Sequence, residues 1–156
     1  MNAMAERTCA ASPHRLPGTF FGKAAAIGLG ACALLISPLC LDTRFLNVWF
    51  AAVFVAASIL AAWSLVAVLR RPRRVWIVVG GLGLPLVAAA YFGFAWMFVE
   101  RYFDGRLPLT AAFLEGIAGA AFGPLVCVRF GFVTFPIGLV GAWWLRRDLV
   151  APGHDA

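Results

Sequence analysis

Long apolar runs alternate along this chain with short charged breaks. After Lys23 the first run extends to Leu41, where Asp42-Thr43-Arg44 closes it. Phe45–Leu69 carries no charge until Arg70-Arg71-Pro72-Arg73-Arg74, and Val75–Val99 carries none until Glu100. About 20 apolar helical residues match the ~30 Å hydrocarbon core of a bilayer. The pattern therefore predicts membrane-crossing helices over about 20–41, 45–69 and 75–99. Gly80, Gly81, Gly83 and Pro85 should thin and kink the third, and Pro38 should bend the first near its end.

Leu107–Leu145 is less regular, because only Glu115 and Arg129 interrupt it. It is too long for one crossing and barely enough for two with a turn. The simplest reading makes 107–123 an interfacial or re-entrant segment, bends the chain at Gly123-Pro124, and ends with a span over 125–145 that contains Pro136. One long helix starting outside the membrane is the alternative. Five crossings with a turn at Arg129 rank last, since the final span would be short. The expected fold class is thus all-α: an integral membrane four-helix bundle, with room for an extra interfacial or re-entrant helix before the last span. It forms a single membrane domain over 1–156, with tails at 1–19 and 146–156.

Composition agrees with this pattern. Hydrophobic residues make up 63% of the chain and charged residues 13%, with a mean hydropathy of +0.90. A water-soluble domain of that make-up would expose large apolar patches, which soluble monomers avoid. The first run is long for a signal-peptide core and no small-x-small cleavage site follows it, so it reads as a retained helix. Cys40 also lacks the small residue before it that a lipoprotein signal needs.

The net charge of +6 changes the picture by setting orientation. Arg7, Arg15, Lys23, Arg70, Arg71, Arg73, Arg74, Arg146 and Arg147 fall on one side of the expected bundle, and Arg44, Arg101 and Arg106 on the other. Basic residues concentrate on the cytoplasmic side of short loops, so both termini should be cytoplasmic. Arg70, Arg71, Arg73 and Arg74 are the main topology determinants. Trp76, Trp143 and Trp144 fall at the inner boundary, and Trp49, Trp96 and Tyr102 nearer the outer one. The location expected is a cell membrane of the bacterial inner-membrane kind. The basic clusters suit anionic lipid headgroups rather than nucleic acid, since they lie between apolar runs.

Candidate chemistry is sparse. Cys9, Cys32, Cys40 and Cys127 include no CxxC pair, and Cys32 and Cys40 would lie about 12 Å apart along one helix, too far to bridge. His14 and His154 are both in the tails, which leaves no axial ligand for an intramembrane haem. No phosphate-binding loop, HExxH, GxSxG or zinc spacing occurs. No catalytic, cofactor-binding or metal residue is therefore assigned, and no cofactor is implied. A likeness between the stretches starting at Gly80 and Gly119 is attributed to chance.

Two charges and a set of small residues remain. An arginine within a span costs roughly 2.5–3.5 kcal/mol to insert, so Arg129 should be paired or functional. A structural ion pair with Glu115 or Glu100 is preferred over a substrate, headgroup or gating role. Glu115 and Arg129 would lie about 21 Å apart on a straight helix, so only a bend near Gly123-Pro124 could join them. Gly116, Gly119 and Gly123 form a small-residue face suited to helix packing, and Ala24/Gly28, Ala26/Gly30 and Ala57/Ala61 repeat the spacing. Apolar, small-residue-rich spans favour a non-enzymatic protein acting by helix–helix contact: an accessory subunit, an assembly factor or an immunity-type protein. Its partners would be membrane lipids and another membrane protein or a second copy. A small transporter or channel component using Arg129 and Glu115 ranks next, then a lipid- or quinone-handling membrane enzyme.

Overall fold

The structure, a computed structural model, describes Leu16, residues 18–35 and residues 48–150 apart from Pro72, Asp104 and Arg106. The expectations for Cys9, His14, Pro38, Cys40, Arg44, Arg106 and His154 lie outside the described residues. All regular structure among the described residues is helical: α1 (Gly18–Leu35), α2 (Val48–Ser64), α3 (Val66–Leu69), α4 (Val75–Phe103), α5 (Leu109–Arg129) and α6 (Gly131–Val150). Two of these, α4 and α5, are long and apolar enough to cross a membrane, while α1 and α2 are shorter apolar helices.

α2 and α3 form one leg with a local step. Leu65 departs from helical geometry at φ −94° and ψ 2°, yet its N–H still bonds the Ala61 carbonyl at 3.1 Å and its carbonyl accepts from Leu69 at 2.9 Å. The hydrogen-bond ladder thus survives the step. Arg70–Arg74 then turns the chain into α4.

α4 is the central helix, against which α2, α5 and α6 all pack. Phe50 meets Phe92 and Trp96 near one end of α4, and Leu69 lies against Gly80 near the other, so α2–α3 runs antiparallel to it. α5 does the same from the opposite side. Gly116 sits against Phe94 and Phe98, Gly119 against Gly93, and Gly123 against Ala89. α5 thus descends α4 from its C-terminal end to its midpoint. α6 continues downward: Gly138 meets Gly81 and Pro85, Ala142 lies beside Gly80, and Arg146 Nη2 donates to the Arg71 carbonyl at 3.2 Å. α1 closes the arrangement, with Ile27 against Gly141 and Lys23 against Asp148. The fully buried Phe20, Leu69 and Leu145, with Ala24, Ala61, Ala62 and Ala142, form a core at the end where α1 begins and α6 finishes.

The last leg differs from the sequence-based expectation. α5 runs unbroken through Gly123-Pro124, and α6 runs unbroken through Pro136. A proline within a helix deletes one backbone donor, and here α4 supports α5 by close backbone contact at Gly119 and Gly123. The break comes instead at Phe130, with φ −100° and ψ 20°. Its carbonyl accepts from Val133 at 2.9 Å and Thr134 at 3.1 Å, starting α6. The Thr134 hydroxyl also lies 3.3 Å from the Cys127 carbonyl and 3.3 Å from that of Phe130. Cys127 and Thr134 would stand about 10 Å apart along a straight helix, so the chain folds sharply at Phe130. We call this bend the elbow.

The elbow has a defined height. Both α5 and α6 run antiparallel to α4, with Gly123 at the level of Ala89 and Gly138 at the level of Gly81 and Pro85. The elbow must lie between those levels, near the midpoint of α4. α5 and α6 are therefore stacked end to end with a sideways excursion, and together they return to the end that holds Arg70–Arg74.

Candidate functional site: an apolar cavity at the elbow

The elbow leaves a cavity of about 420 Å³ between α1, α2, α4 and the α5–α6 junction. One wall is aromatic: Phe50 packs edge-on against Phe92 and Trp96, with centroids 4.9 and 5.3 Å away, and Phe54 lies 5.3 Å from Phe92. Phe130 contributes from the elbow itself. Among the described residues, no charged side chain lines the cavity. Its two hydroxyl groups are used locally, since Ser58 Oγ donates to the Phe54 carbonyl at 2.9 Å and Thr134 serves the elbow carbonyls. Phe122 and Val126 also line it and are 65% and 55% exposed, so the cavity opens sideways past α5.

Thr134 is a residue whose role sequence reasoning missed. The last carbonyls of a helix lack intrahelical partners. At the end of α5, the Phe130 N–H takes the Val126 carbonyl at 3.3 Å, and Thr134 reaches that of Cys127. The Cys127 thiol completes the clasp, 3.5 Å from Thr134 Oγ1. The available signal was a lone threonine in a nearly hydroxyl-free run.

Arg129 occupies the last turn of α5, where its charge complements the negative end of the helix dipole. It is exposed and has no ion pair or hydrogen bond among the described residues. It lies one turn beyond Val126 and two turns beyond Phe122, both of which line the cavity, although Arg129 itself is not among the lining residues. Glu115 is half-buried on the same continuous helix, far up α4 from the elbow. The structure does not bring Glu115 and Arg129 together, because the bend falls after Arg129 rather than between them. Glu100, near the C-terminal end of α4, is equally remote.

The small residues divide into two groups. Gly116, Gly119 and Gly123 all face α4, where a Cβ at Gly119 would run into the Gly93 carbonyl and one at Gly123 into that of Ala89. Gly28 faces Ser58, whose Oγ would lie 2.8 Å from an added Cβ. The interleaved pair Ala26/Gly30 points away from the bundle. Gly22 and Gly30 have nothing within 4 Å of such a Cβ, and Ala26 is exposed between them.

Most of the described basic residues collect at one end. Arg71 stacks 4.2 Å over Trp76, Arg147 lies 5.2 Å over Trp143, and Lys23 lies 5.4 Å over Trp144. The Lys23 ammonium pairs with Asp148, and Thr19 Oγ1 donates to the same carboxylate at 3.0 Å. The hydrogen bond from Lys23 holds the Asp148 carboxyl below its ordinary range, with Thr19 and the Lys23 and Arg147 charges helping against partial desolvation. Asp148 had no sequence-based role, although it is the one acid in a basic segment. Among the described residues, no three His, Cys, Asp or Glu side chains gather as a metal site would require.

No family model matches this chain, and no match was found among curated proteins or solved structures.

Proposed function

We propose that this chain is a small polytopic membrane protein that works by helix–helix association, using the outer face of α1 as its docking stripe. The observation that carries the reading is the row Gly22, Ala26 and Gly30. It has the small-xxx-small spacing that lets helix backbones approach in lipid; among the described residues, nothing lies within 4 Å of a Cβ at Gly22 or Gly30, and Ala26 is exposed. The comparable row on α5 is already occupied by α4. Membrane placement is supported by the apolar α4 and α5 and by the end that gathers Lys23, Arg70–Arg74, Arg146 and Arg147, as expected of a cytoplasmic face. Four crossings are supported by the return of α5–α6, taken together, to that basic end. The described residues that line the cavity include no charged side chain, and its Ser58 and Thr134 hydroxyls are committed to backbone carbonyls, which favours association over catalysis or ion transport.

The test is association of the purified protein in mild detergent and in vesicles, read by energy transfer between labelled copies and by recovery of a stoichiometric partner. Ala26→Leu and Gly30→Leu should release the monomer without lowering its thermal stability, since neither position has a described neighbour to disturb and leucine is a good helix former. A wild-type protein that is already a stable lone monomer would overturn the reading.

A further inference from the structure

We propose that the cavity at the elbow holds the hydrocarbon chain of one long-chain fatty acid, with Arg129, one turn beyond the lining residue Val126, reaching back to take the carboxylate. Size gives the first argument. An apolar cavity of about 150 Å³ stays dry and accommodates benzene, which has six carbons. At that density, the 420 Å³ here accommodates roughly sixteen carbons. The lining gives the second. Ser58 and Thr134 are both committed to backbone carbonyls, so water would find too few partners inside. An empty space of this size would also cost its walls their dispersion contacts.

The third argument is charge. Arg129 is a cation without a partner among the described residues, at the height of the midpoint of α4 and on the flank beside Phe122 and Val126. On the membrane reading, on which this inference rests, that position faces hydrocarbon, where an uncompensated arginine is costly. A guanidinium matches a carboxylate with two parallel hydrogen bonds. A carboxylate is also the smallest anionic head that comes with a single chain, whereas a diacyl phospholipid would have to bring a bulky hydrated headgroup and a second chain to mid-height.

The experiment uses the delipidated full chain in mild detergent and a bromine-substituted hexadecanoate, which quenches nearby tryptophan fluorescence. Trp96 lines the cavity, so wild-type protein should be quenched and Trp96→Phe much less so. Unlabelled hexadecanoate should displace the probe. Octanoate, with half the chain, and hexadecanol, with no charge, should each compete about tenfold less well or worse. Arg129→Gln should bring hexadecanoate down to the level of hexadecanol. Equal competition by the acid and the alcohol on wild-type protein overturns the role of Arg129 even if that variant fails to fold. Stronger displacement by phosphatidylglycerol than by hexadecanoate overturns the choice of occupant, and quenching that survives Trp96→Phe unchanged overturns the location. Membrane placement is read separately, by retention of the chain in membranes after an alkaline carbonate wash, and association by the energy-transfer assay above.

Discussion

The α5 stripe and the α1 stripe share the same residue spacing and have opposite surroundings. On α5, Gly119 and Gly123 bring their backbone against Gly93 and Ala89 of α4, with no room for a methyl group. On α1, Gly22, Ala26 and Gly30 are exposed, and no described residue lies within 4 Å of a Cβ at either glycine. The motif alone therefore says only that a close approach is allowed. Whether it is consumed within the chain or left for another molecule depends on which helix face the rest of the fold covers. α1 shows this most clearly, since its Ala24/Gly28 pair turns inward to α2 and its Ala26/Gly30 pair turns out.

Four substitutions or conditions would break or sharpen that contrast. The largest effect is expected from Gly119→Leu. Its side chain would meet the Gly93 backbone, so overpacking should cost about 3 kcal/mol or more. A thermal unfolding midpoint in detergent close to wild type would show that the α4–α5 contact is not as tight as described. Thr134→Val keeps the side-chain shape but leaves the Cys127 carbonyl without its partner, a loss of about 1–3 kcal/mol in the same assay. Ser64→Ala is the exposed comparison: Ser64 Oγ bonds the Leu60 carbonyl at 2.8 Å and the Tyr91 hydroxyl of α4 at 2.9 Å, both on the surface, so its loss should cost less than that of Thr134. Gly30→Ala should have the opposite sign to any change at Gly119. With open space around it, the added methyl group raises helix propensity and stabilises by up to about 1 kcal/mol. A destabilisation comparable to Gly119→Ala would mean that the α1 stripe is already covered.

The smallest effect is expected from acid. Lys23 and Thr19 anchor Asp148 and so fix which face of α1 turns outward. Because the folded carboxyl is held below its ordinary value, its contribution to stability is complete above about pH 4. It is lost as pH falls further, through the lowered folded value. Unfolding curves collected down through this window should show that loss, and Asp148→Asn should remove the dependence. A variant with the same acid sensitivity as wild type would assign the effect elsewhere.

Much of the helical layout was legible because long uncharged runs and arginine clusters are strong signals. The start of α4 at Val75 and the turn over Arg70–Arg74 follow directly from them. The preferred reading misplaced the elbow, for a physical reason, and only the lowest-ranked one put a turn at Arg129, next to the break at Phe130. Glycine and proline mark where a helix can break, and Gly123-Pro124 is the obvious place to read one. The break needs its freed carbonyls satisfied, however, and that happens at Phe130, where Thr134 can fold back. Pro85, Pro124 and Pro136 all sit inside continuous helices. The position of Arg129 was readable, but its solitude was not, because the assumed pairing with Glu115 depended on a bend in the wrong place. The cavity is a consequence of the elbow and has no linear signature.

The contact between Lys23 and Asp148 joins positions 125 residues apart, and this has a consequence for the order of assembly. A chain made at roughly 5–20 residues per second needs about 6–25 s between producing the first of these side chains and the second. For that interval α1 exists without the helix that closes its inner face. Its inner edge, with the buried Phe20 and Ala24 and the partly buried Ile27, lacks its α6 partner until that helix is made.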